Sequence, residues 1–284
     1  MFFMNVLNLL MILMSILFIT LMERKVLGLM NNRKGPNFFF INSLLQSLMD
    51  FLKLVLKKTF KMNFTIKNYW MMMIFMGILM FLCIYLNYPL NNASMFMYMN
   101  FFFFFFIYSM MSFFFLILSF SSNSIFSIMS LYRVLIQIIS YEVGLIFLFI
   151  FPLMFMNEMN FYYFNLNNNF IMTFSLFYLI TFIIVVLSEM NRTPFDFLES
   201  ETELVSGFNV EYFSSLFSFI FLIEYGFFLF MSLMLNFFML MNFFMLMIFL
   251  LLFIWLRSFM PRLRYDKMIL FFWKDIILMI LALM

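Results

Sequence analysis

Long apolar stretches dominate this chain of 284 residues and constrain its fold more than any other feature. A membrane-spanning helix needs about 20 mostly apolar residues. Segments rich in charged residues, Asn or Pro divide the chain into eight such apolar stretches. Charged residues make up only 10% of the chain, too few to cover the surface of a water-soluble globule. The sequence therefore predicts an all-α, polytopic membrane protein with spans near residues 2–22, 68–89, 95–119, 128–155, 170–189, 213–234, 236–256 and 266–284.

The distribution of Lys and Arg supports this count of eight transmembrane helices, because basic residues concentrate on one side of a membrane protein. The first, fifth and seventh connections contain Lys or Arg, whereas the second, fourth and sixth contain neither. No internal repeat or linker divides the chain, so we interpret residues 1–284 as a single integral membrane domain. Its odd-numbered connections share the basic side, which is the matrix side in a mitochondrion: residues 23–67, 120–127, 190–212 and 257–267.

Residue composition points to a compartment and excludes several kinds of site. The chain contains 34 Met, a frequency that is hard to reach with one Met codon but easy if ATA also encodes Met, as in many animal mitochondria. We therefore expect a multi-pass protein of the mitochondrial inner membrane. With no His and one Cys, the chain cannot form a bis-histidine haem site, a c-type haem site, an iron–sulfur cluster or a structural zinc site. No metal site is expected, and any electron carrier belongs to another subunit.

The first connection contains a candidate interfacial helix. Within residues 41–61, apolar side chains recur at positions 41, 44, 45, 48, 51, 52, 55 and 56, and the lysines occupy other positions. This spacing is typical of an amphipathic helix that lies in the membrane interface. The same spacing is consistent with a helix that anchors on anionic lipid and with a segment that contacts a substrate.

Three predicted spans contain ionisable residues at depth, with Arg133 and Glu142 in the fourth, Glu189 in the fifth and Glu224 in the sixth. A carboxylate at the bilayer centre costs roughly 2.5 to 3.5 kcal/mol, so such groups face the protein interior or water. Arg133 and Glu142 are nine residues apart, which places them on nearly opposite sides of a helix. They cannot neutralise each other within that helix. Glu142 and Glu224 therefore either handle protons or pair with other charges.

The fifth connection is acidic, with Arg192 as its one basic residue. Thr193-Pro-Phe-Asp196 has the spacing of a capping box and Ser200-Glu-Thr-Glu203 offers a second, so part of this connection is predicted to be helical. Glu199 and Glu203 would then share a helix face, and like charges at that distance raise each other's pKa. Such a cluster can exchange protons near neutral pH. A solvated acidic loop and a calcium site are the alternatives, although the spacing of an EF-hand is absent.

Six motifs together carry a resemblance that covers nearly the whole chain. They are Glu23-Arg-Lys-Val-Leu-Gly28, Arg33-Lys-Gly-Pro-Asn37, Ser122-Asn-Ser124, Gln137-Ile-Ile-Ser-Tyr-Glu-Val143, the block from Glu189 to Tyr212 and Pro261-Arg-Leu-Arg-Tyr-Asp266. In their order along the chain they closely resemble the subunit 1 family of mitochondrial NADH:ubiquinone oxidoreductase, which is respiratory complex I. Leu198 and Ser200 depart from the resemblance, because they stand where Ala and Gly are usual.

The resemblance implies a place at the junction between the electron-carrying and proton-pumping arms of that complex. There the family forms a ubiquinone access chamber and a carboxylate path that couples quinone reduction to proton translocation. No catalytic residue is expected in this chain. The implied chamber residues are Glu23, Arg24, Arg33, Asp50, Arg192 and Arg262, and the implied path residues are Glu142, Glu189, Asp196, Glu199, Glu201, Glu203, Glu211 and Glu224.

The resemblance also implies cofactors and partners. The chain would be a subunit of proton-translocating NADH:ubiquinone reductase that binds no redox cofactor by itself. Ubiquinone would be the substrate at an interface, while FMN and the iron–sulfur clusters would belong to partner subunits of the peripheral arm. Neighbouring membrane-arm subunits and lipid are further expected partners, but nucleic acid is not. Two other hypotheses stay open: a self-sufficient cation channel or transporter that uses the same acids, and a structural membrane scaffold.

Overall fold

The structure, a computed structural model, describes residues 2–37, 43–57, 67–87, 100–122, 124–156, 176–196, 212, 214–238 and 243–283. Within these ranges the chain forms helices, turns and short connections but no strand. This confirms the prediction of an all-α fold. Each of the eight predicted spans contains a helix, and so does the predicted interfacial segment.

The described helices follow one another along the chain with short gaps between most of them. A π-helical turn, Phe272–Ile276, joins the last two and continues their axis. The helices are α1 (Phe2–Met30), α2 (Gln46–Leu56), α3 (Lys67–Asn87), α4 (Asn100–Ser122), α5 (Ile125–Met156), α6 (Leu176–Glu189), α7 (Ser215–Phe238), α8 (Phe243–Phe259), α9 (Tyr265–Phe271) and α10 (Ile277–Leu283).

Four of the described helices are long and apolar enough to cross a membrane by length and composition. The qualifying stretches are Leu7–Met30, Phe102–Ser122, Ile125–Met154 and Ser215–Asn236. Three shorter apolar stretches lie within α3, α6 and α8. The chain is therefore a polytopic helical membrane protein, as the sequence predicts.

Helix α1 continues about two turns beyond its predicted end at residue 22. The apolar pattern continues through Val26 and Leu27, so the charged pair Glu23 and Arg24 lies on the helix rather than in the connection. The helix stops where Asn32 adopts a left-handed conformation with φ 54°. The N–H of Arg33 then donates to the carbonyl of Gly28 at 3.0 Å, which is typical of a Schellman helix end.

Helix α7 lies at the centre of the described bundle. It contacts α1, α2, α3 and α8, and it is the most deeply buried of the four long spans. Its contact with α3 depends on Gly226, because a Cβ atom there would lie 2.2 Å from the ring of Phe81. The hydroxyl of Tyr85 donates to the carbonyl of Gly226 at 2.7 Å. Helices α3 and α7 therefore pack closely at this point, as small residues permit in membrane proteins.

The π-helical turn packs against α5. Phe272 is fully buried, and its ring lies 4.3 Å from the ring of Tyr141, centroid to centroid. A Cβ atom at Gly144 would lie 3.0 Å from the same ring, so the glycine admits Phe272 to the helix surface. This contact fixes the last span against the helix that carries Glu142.

Candidate functional site

A cavity collects most of the intramembrane charges that the sequence singles out. Side chains from α4, α5, α6, α7, α8 and the connection after α6 line it. Apolar residues, including Met111, Ile138 and Phe227, form part of its wall. Its ionisable carboxylates and guanidinium groups are those of Glu142, Glu189, Asp196, Glu224, Arg192 and Arg257.

Glu189 occupies the last residue of α6 and faces Tyr108 on α4. The Tyr108 hydroxyl donates a hydrogen bond to this carboxylate and also lies near Glu142 on α5. Glu189 is 7% exposed, and its Oε1 has no hydrogen-bond partner among the described residues. The carboxylates of Glu142 and Glu189 therefore lie near the same hydroxyl, that of Tyr108. The Oε1 atom of Glu189 can accept a further hydrogen bond.

Glu142 and Glu224 are half-buried and lie on α5 and α7. Glu224 lies close enough to Arg192 for their charges to interact. Arg133 is not among the residues that line the cavity, and its charge instead acts on Tyr265 at the start of α9. The placement of Arg133 and Glu142 agrees with the opposite helix sides that their spacing predicts.

Glu23 forms the centre of a second group of charges, which adjoins the cavity through Arg192 and Arg257. Its Oε1 accepts from Arg257 and lies 3.7 Å from Nη1 of Arg192. Its Oε2 accepts a hydrogen bond of 2.5 Å from the hydroxyl of Tyr225. The guanidinium carbon of Arg192 lies 4.4 Å from the centre of the Tyr225 ring. This carboxylate thereby joins α1, α7, α8 and the connection after α6.

Arg192 keeps its positive charge in this setting. Burial by itself lowers the pKa of the guanidinium, but Tyr225 and the Glu23 carboxylate raise that pKa above its ordinary value. A buried charge needs such compensation, because an isolated ion in the protein interior is strongly unfavourable. The Arg192 side chain thus supplies a permanent positive charge at the boundary between the cavity and the Glu23 group.

The connection after α6 is held against the connection after α8. Thr193 Oγ1 donates to the carbonyl of Arg257 at 3.2 Å, and the N–H of Leu263 donates to the carbonyl of Pro194 at 3.0 Å. Residues 190–196 form turns and irregular backbone, so no helix begins at the first capping box, near Thr193. The threonine hydroxyl instead bonds to a carbonyl in the last turn of α8. The second capping box and the rest of the predicted helical part, residues 197–211, lie outside the described residues.

Two further ion pairs lie toward the surface. Arg262 Nη2 lies 3.4 Å from Oδ2 of Asp196, whose side chain is 4% exposed. Arg24 Nη1 donates to Oδ2 of Asp50 at 2.9 Å and links α1 to α2 in a more exposed position. Arg33 is exposed in the turn after α1.

The structure thus places the predicted chamber and path residues in different environments. Glu23 and Arg192 belong to the buried group, Arg262 contacts a cavity acid, and Arg24, Asp50 and Arg33 lie nearer the surface. Four of the nominated path acids meet in the cavity. The other four, Glu199, Glu201, Glu203 and Glu211, lie outside the described residues.

Sequence reasoning missed four residues that contribute to this geometry. Arg257 counts in the sequence only as a basic residue after a span, although its position in the last turn of an apolar helix is a signal for a buried pair. Tyr108 and Tyr225 carry no signal that separates them from the other 11 of the 13 Tyr residues. Gln137 stands in one of the quoted motifs, but its polar contacts depend on two residues more than 50 positions away.

Comparison with known proteins gives consistent matches over the length of the chain. The family model described as NADH dehydrogenase matches residues 4–284. Three similar proteins are each named NADH-ubiquinone oxidoreductase chain 1. The protein of Apis mellifera ligustica is 34% identical over 284 residues, which cover 95% of this chain and 91% of the relative. Those of Anopheles gambiae and Rhipicephalus sanguineus are 35% and 37% identical, over 93% and 94% of this chain and 87% and 88% of the relatives.

Proposed function

Because the chain belongs to the NADH dehydrogenase family, we propose that it lines a ubiquinone access chamber and carries a carboxylate path that couples ubiquinone reduction to proton translocation. As a member of this family it is a core membrane subunit of proton-translocating complex I. The observation that carries the proposal is that Glu142, Glu189, Asp196 and Glu224 line the same cavity.

The chamber side of the proposal rests on the group around Glu23. Arg192 and Arg257 contact this carboxylate and also line the cavity, so they connect the two sets of charges. Reduction of ubiquinone to ubiquinol takes up two electrons and two protons. Negative charge that develops during this step interacts with the guanidinium groups and raises the proton affinity of nearby carboxylates.

The path side rests on the environment of the acids. The apolar part of the cavity wall lowers the local dielectric constant, and electrostatic interactions are stronger there than in water. A proton gained by one carboxylate therefore changes the proton affinity of its neighbours. Tyr108 contacts Glu189 and lies near Glu142, so it provides a hydroxyl between two members of the path. Intramembrane carboxylates commonly serve such proton relays.

The more exposed pairs complete the proposal. Arg24, Arg33, Asp50 and Arg262 provide charged side chains at the surface around the buried group, where they would meet the quinone headgroup or partner subunits. FMN and iron–sulfur clusters in those partners would deliver the electrons, and this chain would bind no redox cofactor alone. The mitochondrial inner membrane is the proposed location.

The proposal is tested by replacing one cavity acid at a time in the assembled complex. Glu142→Gln and Glu224→Gln keep the size of each side chain and remove its charge and its ability to release a proton. We expect each variant to lower NADH:ubiquinone turnover by about a hundredfold, because a positioned proton-transfer group typically contributes at least about 10²-fold. NADH oxidation with an artificial acceptor measures the electron-carrying arm separately and should stay at the wild-type rate.

Asp275→Asn is the matched control, because Asp275 is an exposed acid on the last span and does not line the cavity. It should leave both activities unchanged. Normal ubiquinone turnover and normal proton pumping in both glutamine variants would contradict the carboxylate path.

A further inference from the structure

The side chain of Gln137 joins α5 to the last turn of α6 and to the start of the connection after it, a stretch that carries Glu189, Arg192 and Asp196 of the cavity. Gln137 is completely buried. Its Nε2 donates to the carbonyl oxygens of Ser188 at 2.5 Å and of Phe195 at 3.0 Å. These carbonyls belong to the residues directly before Glu189 and Asp196, so one carboxamide holds the backbone next to two cavity acids.

The Ser188 carbonyl also takes part in the turn that ends α6. Asn191 has a left-handed conformation with φ 49°, its N–H donates to the Ser188 carbonyl, and the N–H of Arg192 donates to the carbonyl of Leu187, both at 3.2 Å. This is the Schellman arrangement. The Ser188 oxygen therefore accepts one bond from its own turn and one from Gln137, which uses both of its lone pairs.

Gln137 serves this contact only as a donor. Its Oε1 has no hydrogen-bond partner among the described residues, and a flipped carboxamide would place that oxygen against two carbonyl oxygens. The side-chain orientation is therefore fixed by the two acceptors. An apolar side chain of the same length offers no donor, and a carboxylate would add repulsion.

We propose that Gln137 is a positioning residue, which clamps the connection after α6 and thereby places the Glu189 and Asp196 carboxylates in the cavity. The bond to the Ser188 carbonyl fixes the last turn of α6, the bond to the Phe195 carbonyl fixes the backbone next to Asp196, and Arg192 lies between them. The functional consequence rests on the proposed carboxylate path, whereas the clamp itself is a property of the local structure.

The test uses Gln137→Met in the assembled complex, because Met has a similar length and no amide donor. Two measurements are made on each variant. Backbone hydrogen exchange over residues 188–196 should become about tenfold faster. Without the two hydrogen bonds from Gln137, this segment opens to solvent more often. With a short-chain ubiquinone, kcat should fall about tenfold while KM changes less than about twofold, which separates lost positioning from lost substrate binding.

Ser140→Ala is the matched control on the same helix. Ser140 is buried, and its hydroxyl donates to the carbonyl of Gln137 at 2.8 Å, a bond within α5. Its exchange rates and kinetics should match the wild type. If Gln137→Met prevents assembly, Gln137→Glu gives the same two measurements with the shape retained and at most one donor.

Each unfavourable outcome overturns a defined part of the inference. Unchanged exchange in the Gln137 variant would overturn the clamp. Faster exchange with a wild-type kcat would overturn its positioning role. Failure of the carboxylate path would instead appear as normal turnover in Glu142→Gln and Glu224→Gln, and the exchange measurement is independent of that result.

Discussion

Among single residues, Glu23 has a charge that three other side chains compensate. Arg257, Arg192 and Tyr225 all act on its carboxylate, and they come from different elements. Removing one partner of a buried ion pair costs about 3 to 5 kcal/mol because the remaining charge is left without compensation. Removing both charges together costs much less stability, because no uncompensated charge remains.

This difference gives a prediction for Arg257. We expect Arg257→Gln to lower the temperature at which the assembled complex loses ubiquinone reductase activity. The same substitution in a Glu23→Gln background should lower it much less, because the buried carboxylate is already neutral. Thermal inactivation of the two single variants and the double variant measures this coupling. Equal effects of Arg257→Gln in both backgrounds would contradict a pairing of Glu23 with Arg257.

Single residues also show which parts of the site can be predicted from the sequence. Glu142, Glu189 and Glu224 attract attention because a carboxylate in a membrane span needs an explanation. Tyr225 attracts none, since a tyrosine fits an apolar span, and its hydroxyl bonds a residue 202 positions away. A sequence gives the cost of a buried charge but not the group across the bundle that compensates it.

At the scale of helices, the contact between α3 and α7 is the most sensitive to added volume. Gly226→Ala would place a Cβ atom 2.2 Å from the Phe81 ring, and Phe81 is 1% exposed with little room to move. Overpacking of this kind costs about 1 to 3 kcal/mol. We expect a clear fall in the inactivation temperature of the assembled complex.

Gly144→Ala provides the comparison for this prediction. Its Cβ atom would lie 3.0 Å from the edge of the Phe272 ring, so a small shift of that ring relieves the contact. The expected fall in inactivation temperature is smaller than for Gly226→Ala. A larger effect at Gly144 would show that α5 and the π-helical turn, rather than α3 and α7, limit the packing.

Helix positions follow from the apolar pattern, whereas several helix ends do not. The pattern locates every described span, because long apolar runs leave few alternatives in lipid. It misplaces the end of α1, where charged residues continue the helix to Met30. The pattern near Thr193 fails for a related reason, since a cap residue can bond to another segment, and Thr193 bonds to Arg257.

At the scale of the whole molecule, the chain presents apolar surface over much of α1, α5 and α10. Lipid or partner subunits must cover such a surface, and membership in the family favours assembly in a large complex. We expect the chain from gently solubilised membranes to migrate on a native gel in a very large band with rotenone-sensitive NADH dehydrogenase activity. Migration in a small band without this activity would favour the self-sufficient channel.

More of the helical architecture than of the candidate site could be predicted from the sequence. Hydropathy and the one-sided distribution of basic residues predict a polytopic bundle, because both reflect the bilayer rather than particular contacts. The meeting of α4, α5, α6, α7 and α8 around one cavity depends on helix packing between residues far apart in the chain. The structure shows that Glu142, Glu189, Asp196 and Glu224 line the same cavity, which the sequence does not indicate.

The two helix ends built on Asn32 and Asn191 bear on how this chain tolerates its unusual composition. Left-handed helix ends ordinarily use glycine, and the chain has only 6 glycines. Asparagine is the other residue that adopts this conformation readily, and its codons contain A and T where those of glycine require two G. An A+T-rich gene can therefore supply asparagine at helix ends and keep the chain reversals, whereas Gly226, enclosed by an aromatic ring, has no such substitute.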